Sequence, residues 1–244
     1  MILRFTIVGL ALMFAVTALA GRIAEDDRIA DPLSRKNLIL VELFTSQGCS
    51  SCPPADRLMG TFTGSKDVAV LAFHVDYWNR LGWQDPFSQS AWSVRQRDYA
   101  LAMDLETVYT PQMVVDGLGE GVGSDASELK KLLAEARQRE RPGLLTQTRT
   151  GVDLRLLDPI DQAAELWVAE VENGLVTQVE RGENADRTLH NHFVVRKLTR
   201  LAELRAGTRG LSRYALPEAE NENRHLVVFL QQKGFGRVLL AQRF

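Results

Sequence analysis

Residues 41–56 read VELFTSQGCSSCPPAD and carry Cys49 and Cys52, the only cysteines in the chain. A thiol pair with a two-residue spacer can do three kinds of chemistry. Disulfide exchange needs a nucleophilic thiolate and a second thiol close enough to resolve the mixed disulfide, and this spacing supplies both. A zinc or copper site would use both sulfurs but needs about four donors; His74 adds a third. A permanent disulfide would staple the turn, yet a loop this short removes little chain entropy and stabilises weakly. The pair reads as an exchange pair, with Cys49 attacking from the solvent side of the turn and Cys52 resolving. No resident metal and no cofactor are expected.

The residues after the pair limit how the thiolate is activated. Pro53 and Pro54 lack backbone N–H groups and belong in the first turn of a helix. Pro53 also discourages a helical conformation at Cys52. The helix should start at Ser51 or Cys52, leaving Cys49 in the loop with few aligned dipoles. Ser50 and Ser51 offer hydroxyl donors in their place.

Buried-strand patterns flank this turn. Residues 37–44 (NLILVELF) and 68–75 (VAVLAFHV) are short apolar runs suited to strands covered on both faces. A single helix joins them, so a right-handed crossover makes them parallel and puts their C-terminal ends on one edge. That edge carries residues 74–83, HVDYWNRLGW. His74, Asp76, Tyr77, Trp78 and Trp83 could then form an aromatic, proton-handling wall beside the dithiol, where open sheets bind ligands. The alternative is that the tryptophans only cover the sheet edge and His74 is a hydrogen-bonded core residue. A helix follows at 88–103. Thr110-Pro111 introduces a strand, and Asp116-Gly117 signals a hairpin turn. Leu129, Leu132, Leu133 and Ala136 recur at helical spacing, with Asp125 and Glu128 at capping-box positions. After residue 143 the pattern changes to short strands, with a hairpin tip at Glu172-Asn173-Gly174 and one helix-like period near 194–207.

The order strand, dithiol, helix, strand, helix, X-Pro, hairpin, helix resembles the thioredoxin fold. VELFTSQGCSSCPPAD, AFHVDYW, LGWQDPF, VYTPQMVVDG and GENADRTL are similar to the signature segments of a secreted bacterial family known as domain of unknown function 1223. The resemblance implies that Pro111 is a cis-proline facing the sulfurs and that Thr110 presents its backbone to a bound peptide. Glu42, the one acid in its strand, resembles the buried acid of thioredoxins, which would shuttle the proton of Cys52; the alternative is an acid hydrogen-bonded to loop amides. The expected fold class is α/β: a thioredoxin-like domain at 37–143, followed by a smaller, mostly β, sandwich-like domain at 144–244.

Residues 1–20 have the layout of a secretory signal: Arg4, an apolar run, and Ala18-Leu19-Ala20 before Gly21. Residues 21–36 form a polar lead-in. The chain is thus expected to be periplasmic or secreted, with no stable membrane insertion after cleavage. A formal charge of −2 over 244 residues gives no footprint for nucleic acid. Gly117 to Gly123 is glycine-rich but lacks the Lys-Ser/Thr of a phosphate loop. His190 and His192 alternate along one strand face without a third ligand nearby. The reading is an exported thiol–disulfide oxidoreductase-like protein acting on protein thiols or disulfides. Its competitors are a non-enzymatic binding protein with a structural disulfide on the same scaffold, and a copper or zinc carrier using Cys49, Cys52 and His74.

Overall fold

Residues 39–45 (ILVELFT) and 68–74 (VAVLAFH) offer almost nothing that needs water on either pleat face, and both strands are buried along their whole length. The computed structural model describes residues 37–218, 221 and 223–244; the signal-like pattern of residues 1–20 and the polar residues 21–36 lie outside them. In chain order the first elements are β1 (Ile39–Thr45), α1 (Pro53–Gly60), β2 (Val68–His74), α2 (Ser90–Ala102), β3 (Gln112–Val115), β4 (Gly119–Val122) and α3 (Ala126–Arg137). Then come β5 (Gly143–Thr148), β6 (Gly151–Leu156), β7 (Ala164–Glu172), β8 (Leu175–Gln178) and β9 (Thr188–Asn191). The last are β10 (Val194–Leu204), β11 (Gly210–Ala215), β12 (Arg224–Gln232) and β13 (Val238–Arg243).

β1 and β2 are parallel, in register from Ile39↔Val68 to Thr45↔His74. On the other side of β1, β3 runs antiparallel and turns into β4. Asp116 (φ 50) and Gly117 (φ 70) make that turn; both are left-handed, as a type I′ turn requires. α3 is capped by the Asp125 side chain, which accepts from the amides of Ser127 and Glu128.

The expected fold class is overturned. The described residues do not form an α/β thioredoxin-like domain followed by a smaller β domain. They form a mostly β structure of thirteen strands and three short helices. Its main sheet is mixed and eight-stranded, in the order β13-β12-β7-β10-β2-β1-β3-β4. It therefore takes strands from both sides of residue 143. The join is at the outer edge of β2, where Val194 pairs in parallel with Ala72 and the Ala72 amide donates to the Phe193 carbonyl at 2.8 Å. A buried strand with apolar faces still has a row of backbone polar groups to satisfy, and β10 meets part of that need.

Local pattern hid β10 because two register shifts, at Val195/Lys197 and Arg200/Ala202, break its alternation. Each irregularity displaces the period of two, and the resulting spacing imitates a helix near 194–207. Likewise Asn173-Gly174 is not the tip of a β7–β8 hairpin: β7 pairs with β10 and β12, and β8 pairs with β9.

Both faces of the far half of the sheet are covered. In β12, Val227 and Phe229 enter one core while Leu226, Val228 and Leu230 enter a second. The second core is completed by Leu145, Val152, Leu154 and Leu156 of the three-stranded sheet β11-β6-β5. Among the described residues no helix is long and apolar enough to cross a membrane.

Candidate functional site

β1 ends at Thr45, and the chain makes a tight loop before α1. The Cys49 amide bonds the Ser46 carbonyl at 3.2 Å and the Cys52 amide bonds the Cys49 carbonyl at 3.2 Å. Cys49 and Cys52 form a disulfide with Cα atoms 5.4 Å apart. Cys52 is the N-cap of α1 and Pro53 its first helical residue. The next free amides, of Ala55 and Asp56, both bond the Cys52 carbonyl at 2.9 and 3.1 Å. Two prolines and this carbonyl leave the helix start with no free amide to offer a thiolate. The polar neighbours of the Cys49 sulfur come from elsewhere: Ser51 Oγ at 3.3 Å and the Thr110 carbonyl oxygen at 3.8 Å.

Thr110-Pro111 is a cis peptide, and Pro111 is buried. The Trp78 indole donates to the Thr110 hydroxyl at 2.7 Å, and a Cβ on Gly48 would come within 3.0 Å of Trp78 Cβ. Cys49, Cys52, Thr110, Pro111 and Trp78 are thus brought together. One expectation needs correction. Cys49 does not stand on the solvent side of the turn, since both cysteines are 0% exposed; Ser50 and Ser51 are the exposed residues.

What covers the pair is the segment between β8 and β9. Asn184, itself 0% exposed, donates to the carbonyls of Gln47 at 2.9 Å and Cys49 at 2.8 Å. The neighbouring Glu183 accepts from the Ser50 amide at 2.9 Å, and that bond holds its carboxyl below the usual range. Gln47 is a second fastener. Its Nε2 donates to Asn191 Oδ1 at 2.9 Å and Thr177 Oγ1 at 3.0 Å, and its Oε1 accepts from Trp83 Nε1 at 3.1 Å. Trp83 therefore reaches the turn through Gln47. Sequence reasoning singled out GENADRTL without assigning it a role, because its partners lie far away in the chain.

Beneath the turn is a buried charged group. His74 Nδ1 lies 2.7 Å from Asp85 Oδ2, and Asp85 also accepts from the amides of Gln47 at 2.8 Å and Phe87 at 2.9 Å. His74 Nε2 is buried with no hydrogen-bond partner among the described residues. Burial alone would lower the His74 pKa, but the charges of Asp85 and Asp56 and the Asp85 bond outweigh it and raise it. Burial pushes the other way at Asp85, where the His74 charge, the His74 bond and the amide bonds prevail and lower the pKa. Asp56, on α1, is pushed up to about 6, chiefly by burial and against the His74 charge and a bond from Thr45. Asp56 is a site residue that sequence reasoning missed.

Two predicted residues lie outside this arrangement. Glu42 is not a proton shuttle for Cys52. Side chains alternate along β1, and Leu43 and Thr45 face α1: Leu43 and Ala55 crowd the same point beside Gly123, and Thr45 bonds Asp56. Glu42 points to the opposite face, where Arg95 of α2 grips it through Nε at 2.6 Å and Nη2 at 3.0 Å. The Tyr99 hydroxyl also bonds Glu42, and the guanidinium lies over the rings of Phe73, Tyr99, Phe229 and Phe235. Asp76 accepts from Ser93 Oγ at 2.5 Å and so ties the strand exit to α2. Among the described residues no three of His, Cys, Asp or Glu gather as a metal site. His190 is exposed, and His192 packs on Gly60.

A family model described as "Protein of unknown function (DUF1223)" matches residues 40–231. The chain belongs to the DUF1223 family. The match spans every residue of the site, and the DUF1223-like segments from five parts of the sequence meet at the dicysteine turn. AFHVDYW brings Trp78, LGWQDPF brings Trp83 and Asp85, VYTPQMVVDG brings Thr110, and GENADRTL brings Asn184. Among solved structures the DUF1223 chain is similar to a crystal structure of an Agrobacterium tumefaciens protein, at 25% identity and a TM-score of 0.72, covering 86% of this chain and 96% of that one. It is also similar to HBP35 of Porphyromonas gingivalis, at 13% identity and a TM-score of 0.50 over 86% and 76% of the two chains, a likeness of fold alone. No curated protein matches the sequence.

Proposed function

We propose that this DUF1223 protein is an exported thiol–disulfide exchange protein that acts on protein thiols or disulfides through Cys49 and Cys52. The observation that carries the reading is the asymmetry of the two sulfurs. Cys49 Sγ has the Ser51 hydroxyl at 3.3 Å and the Thr110 carbonyl at 3.8 Å. A hydroxyl can donate to a thiolate, and a carbonyl can accept from the thiol. The Ser50-Ser51 face of the turn is open to solvent, so a partner meets the pair there. In the reducing direction the Cys49 thiolate attacks a partner disulfide and forms a mixed disulfide, releasing one partner thiolate. Cys52 then displaces the second, forming the Cys49–Cys52 bond and leaving two electrons on the partner. Export to the periplasm or outside the cell is the setting in which such a disulfide persists, and the signal-like residues 1–20 support it.

A second reading has an observation of its own. Both cysteines are fully buried and Asn184 clamps the turn, which suits a permanent disulfide in a non-enzymatic binding protein. One measurement separates the two. The pair is equilibrated in glutathione buffers and its free thiols are counted by alkylation. Exchange chemistry predicts a reduction potential above about −300 mV, and a lower value marks a structural bond. A Cys52→Ser variant should in addition accumulate mixed disulfides through Cys49. If it accumulates none and the potential is low, the exchange reading is lost.

A further inference from the structure

We infer that Asp56 is the proton acceptor that converts the Cys52 thiol into the attacking thiolate of the resolving step, and that His74, held by its bond to Asp85, favours the charged form of the Asp56 carboxylate. This rests on the exchange reading above. Cys52 has right-handed helical backbone angles, φ −76 and ψ −37, and the Asp56 amide bonds the Cys52 carbonyl at 3.1 Å. Asp56 is therefore one turn on from Cys52. Side chains four apart stack on one helix face, with Cβ atoms about 5–6 Å apart. Cys52 is 0% and Asp56 7% exposed, so solvent is a poor base for that thiol.

The far side of the carboxylate is built as well. Asp56 Oδ2 accepts from Thr45 Oγ1 at 3.2 Å, and Thr45 pairs in register with His74 on the neighbouring strand. His74 has one nitrogen on Asp85 and the other buried without a hydrogen-bond partner among the described residues. The charged groups acting on this cluster are Asp56 and Arg57 on α1, His74 on β2, Asp85 in the loop beyond, and Arg196 on β10. Burial lifts Asp56 to about 6, while His74 and Thr45 restrain the rise. A carboxylate in that range is ionised at neutral pH yet basic enough to take a proton in a transition state. A free thiol, at about 8.5 and higher when buried, needs such a base. Glu42 cannot serve, because Arg95 holds it on the opposite face of β1.

The step balances as follows. With Cys49 in a mixed disulfide, the Cys52 proton passes to Asp56 and the thiolate attacks Cys49 Sγ. The Cys49–Cys52 bond forms, the bond from Cys49 to the partner breaks, and the partner sulfur leaves with the electron pair. Asp56 then returns the proton to solvent.

The test uses the reduced protein and 5,5′-dithiobis(2-nitrobenzoate). Attack by the first cysteine releases one thionitrobenzoate, and resolution by the second releases another, followed in stopped flow from pH 4 to 9. In the native protein the second release should accelerate through an inflection at about 6, the value to which Asp56 is raised. Asp56→Asn should remove that inflection and slow the second release at pH 7 on the order of 10²-fold, the typical contribution of a positioned base, while leaving the first release in place. His74→Gln should move the inflection upward, because the imidazolium that restrains Asp56 is gone. This variant carries the test if Asp56→Asn does not fold by circular dichroism. An unchanged second phase in Asp56→Asn, or an unmoved inflection in His74→Gln, overturns the inference while the exchange reading stands. A native protein that releases only one equivalent overturns both.

Discussion

The Asn184 side-chain amide has two N–H donors, and both backbone carbonyls it reaches belong to the dicysteine turn. Without them the Cys49 carbonyl keeps the Cys52 amide, and the Gln47 carbonyl loses its side-chain partner in a buried place. Leaving a buried acceptor unpaired costs about 1–3 kcal/mol. Asn184→Ala should therefore lower the unfolding free energy measured in urea by that order and speed reduction of the Cys49–Cys52 bond by dithiothreitol, measured as alkylated thiol against time. An unchanged reduction rate would mean that Asn184 does not guard the pair. Sequence spacing exposed Cys49 and Cys52 because their chemistry is local. Asn184 escaped because its carbonyls lie 135 and 137 residues away. Asp56 was within reach of the same reasoning: four residues after Cys52, it follows from helix periodicity alone once the helix start is fixed by Pro53.

At the scale of elements, the single acid in β1 is explained by α2. Glu42 and Arg95 are 1% and 6% exposed, and the Tyr99 hydroxyl and Gln231 close the network from α2 and β12. A buried pair of this kind is weak evidence for net stability, but removing one partner leaves an uncompensated charge and costs about 3–5 kcal/mol. Glu42→Gln should show a loss of that size in urea unfolding, and Glu42→Leu combined with Arg95→Met should recover much of it. If Glu42→Gln unfolds like the native protein, the network is not what fixes α2 on the sheet. Elements whose cause is local were legible in advance: the Asp116-Gly117 turn, the Asp125 cap and the two buried parallel strands. β10 was not, since its register shifts disguise the strand period and its pairing with β2 depends on the fold as a whole.

Over the whole molecule, the eight-stranded sheet makes the two halves of the sequence depend on each other. Residues 37–143 supply β1 to β4 and the three helices, but the surface around Arg95 is finished by Phe229, Gln231 and Phe235. The outer edge of β2 is met by Phe193 and Val194, and the dicysteine turn is covered by Asn184 and Glu183. A fragment cut after residue 143 would expose a buried guanidinium, a strand edge and much of one core at once. Such losses exceed the roughly 5–15 kcal/mol that holds a whole domain folded. Residues 37–143 expressed alone should therefore lack sharp near-ultraviolet circular dichroism and should bind a hydrophobic dye, as loosely packed states do. The intact chain should unfold in one transition when followed by far-ultraviolet circular dichroism and by tryptophan fluorescence. The fluorescence samples both halves, with Trp78, Trp83 and Trp92 before residue 143 and Trp167 after it. Two separated transitions, or a fragment that unfolds cooperatively by itself, would mean that the seam between β2 and β10 joins units able to stand alone. The disulfide would then answer to the first of them only, and Asn184→Ala would leave the transition of the first unit unmoved.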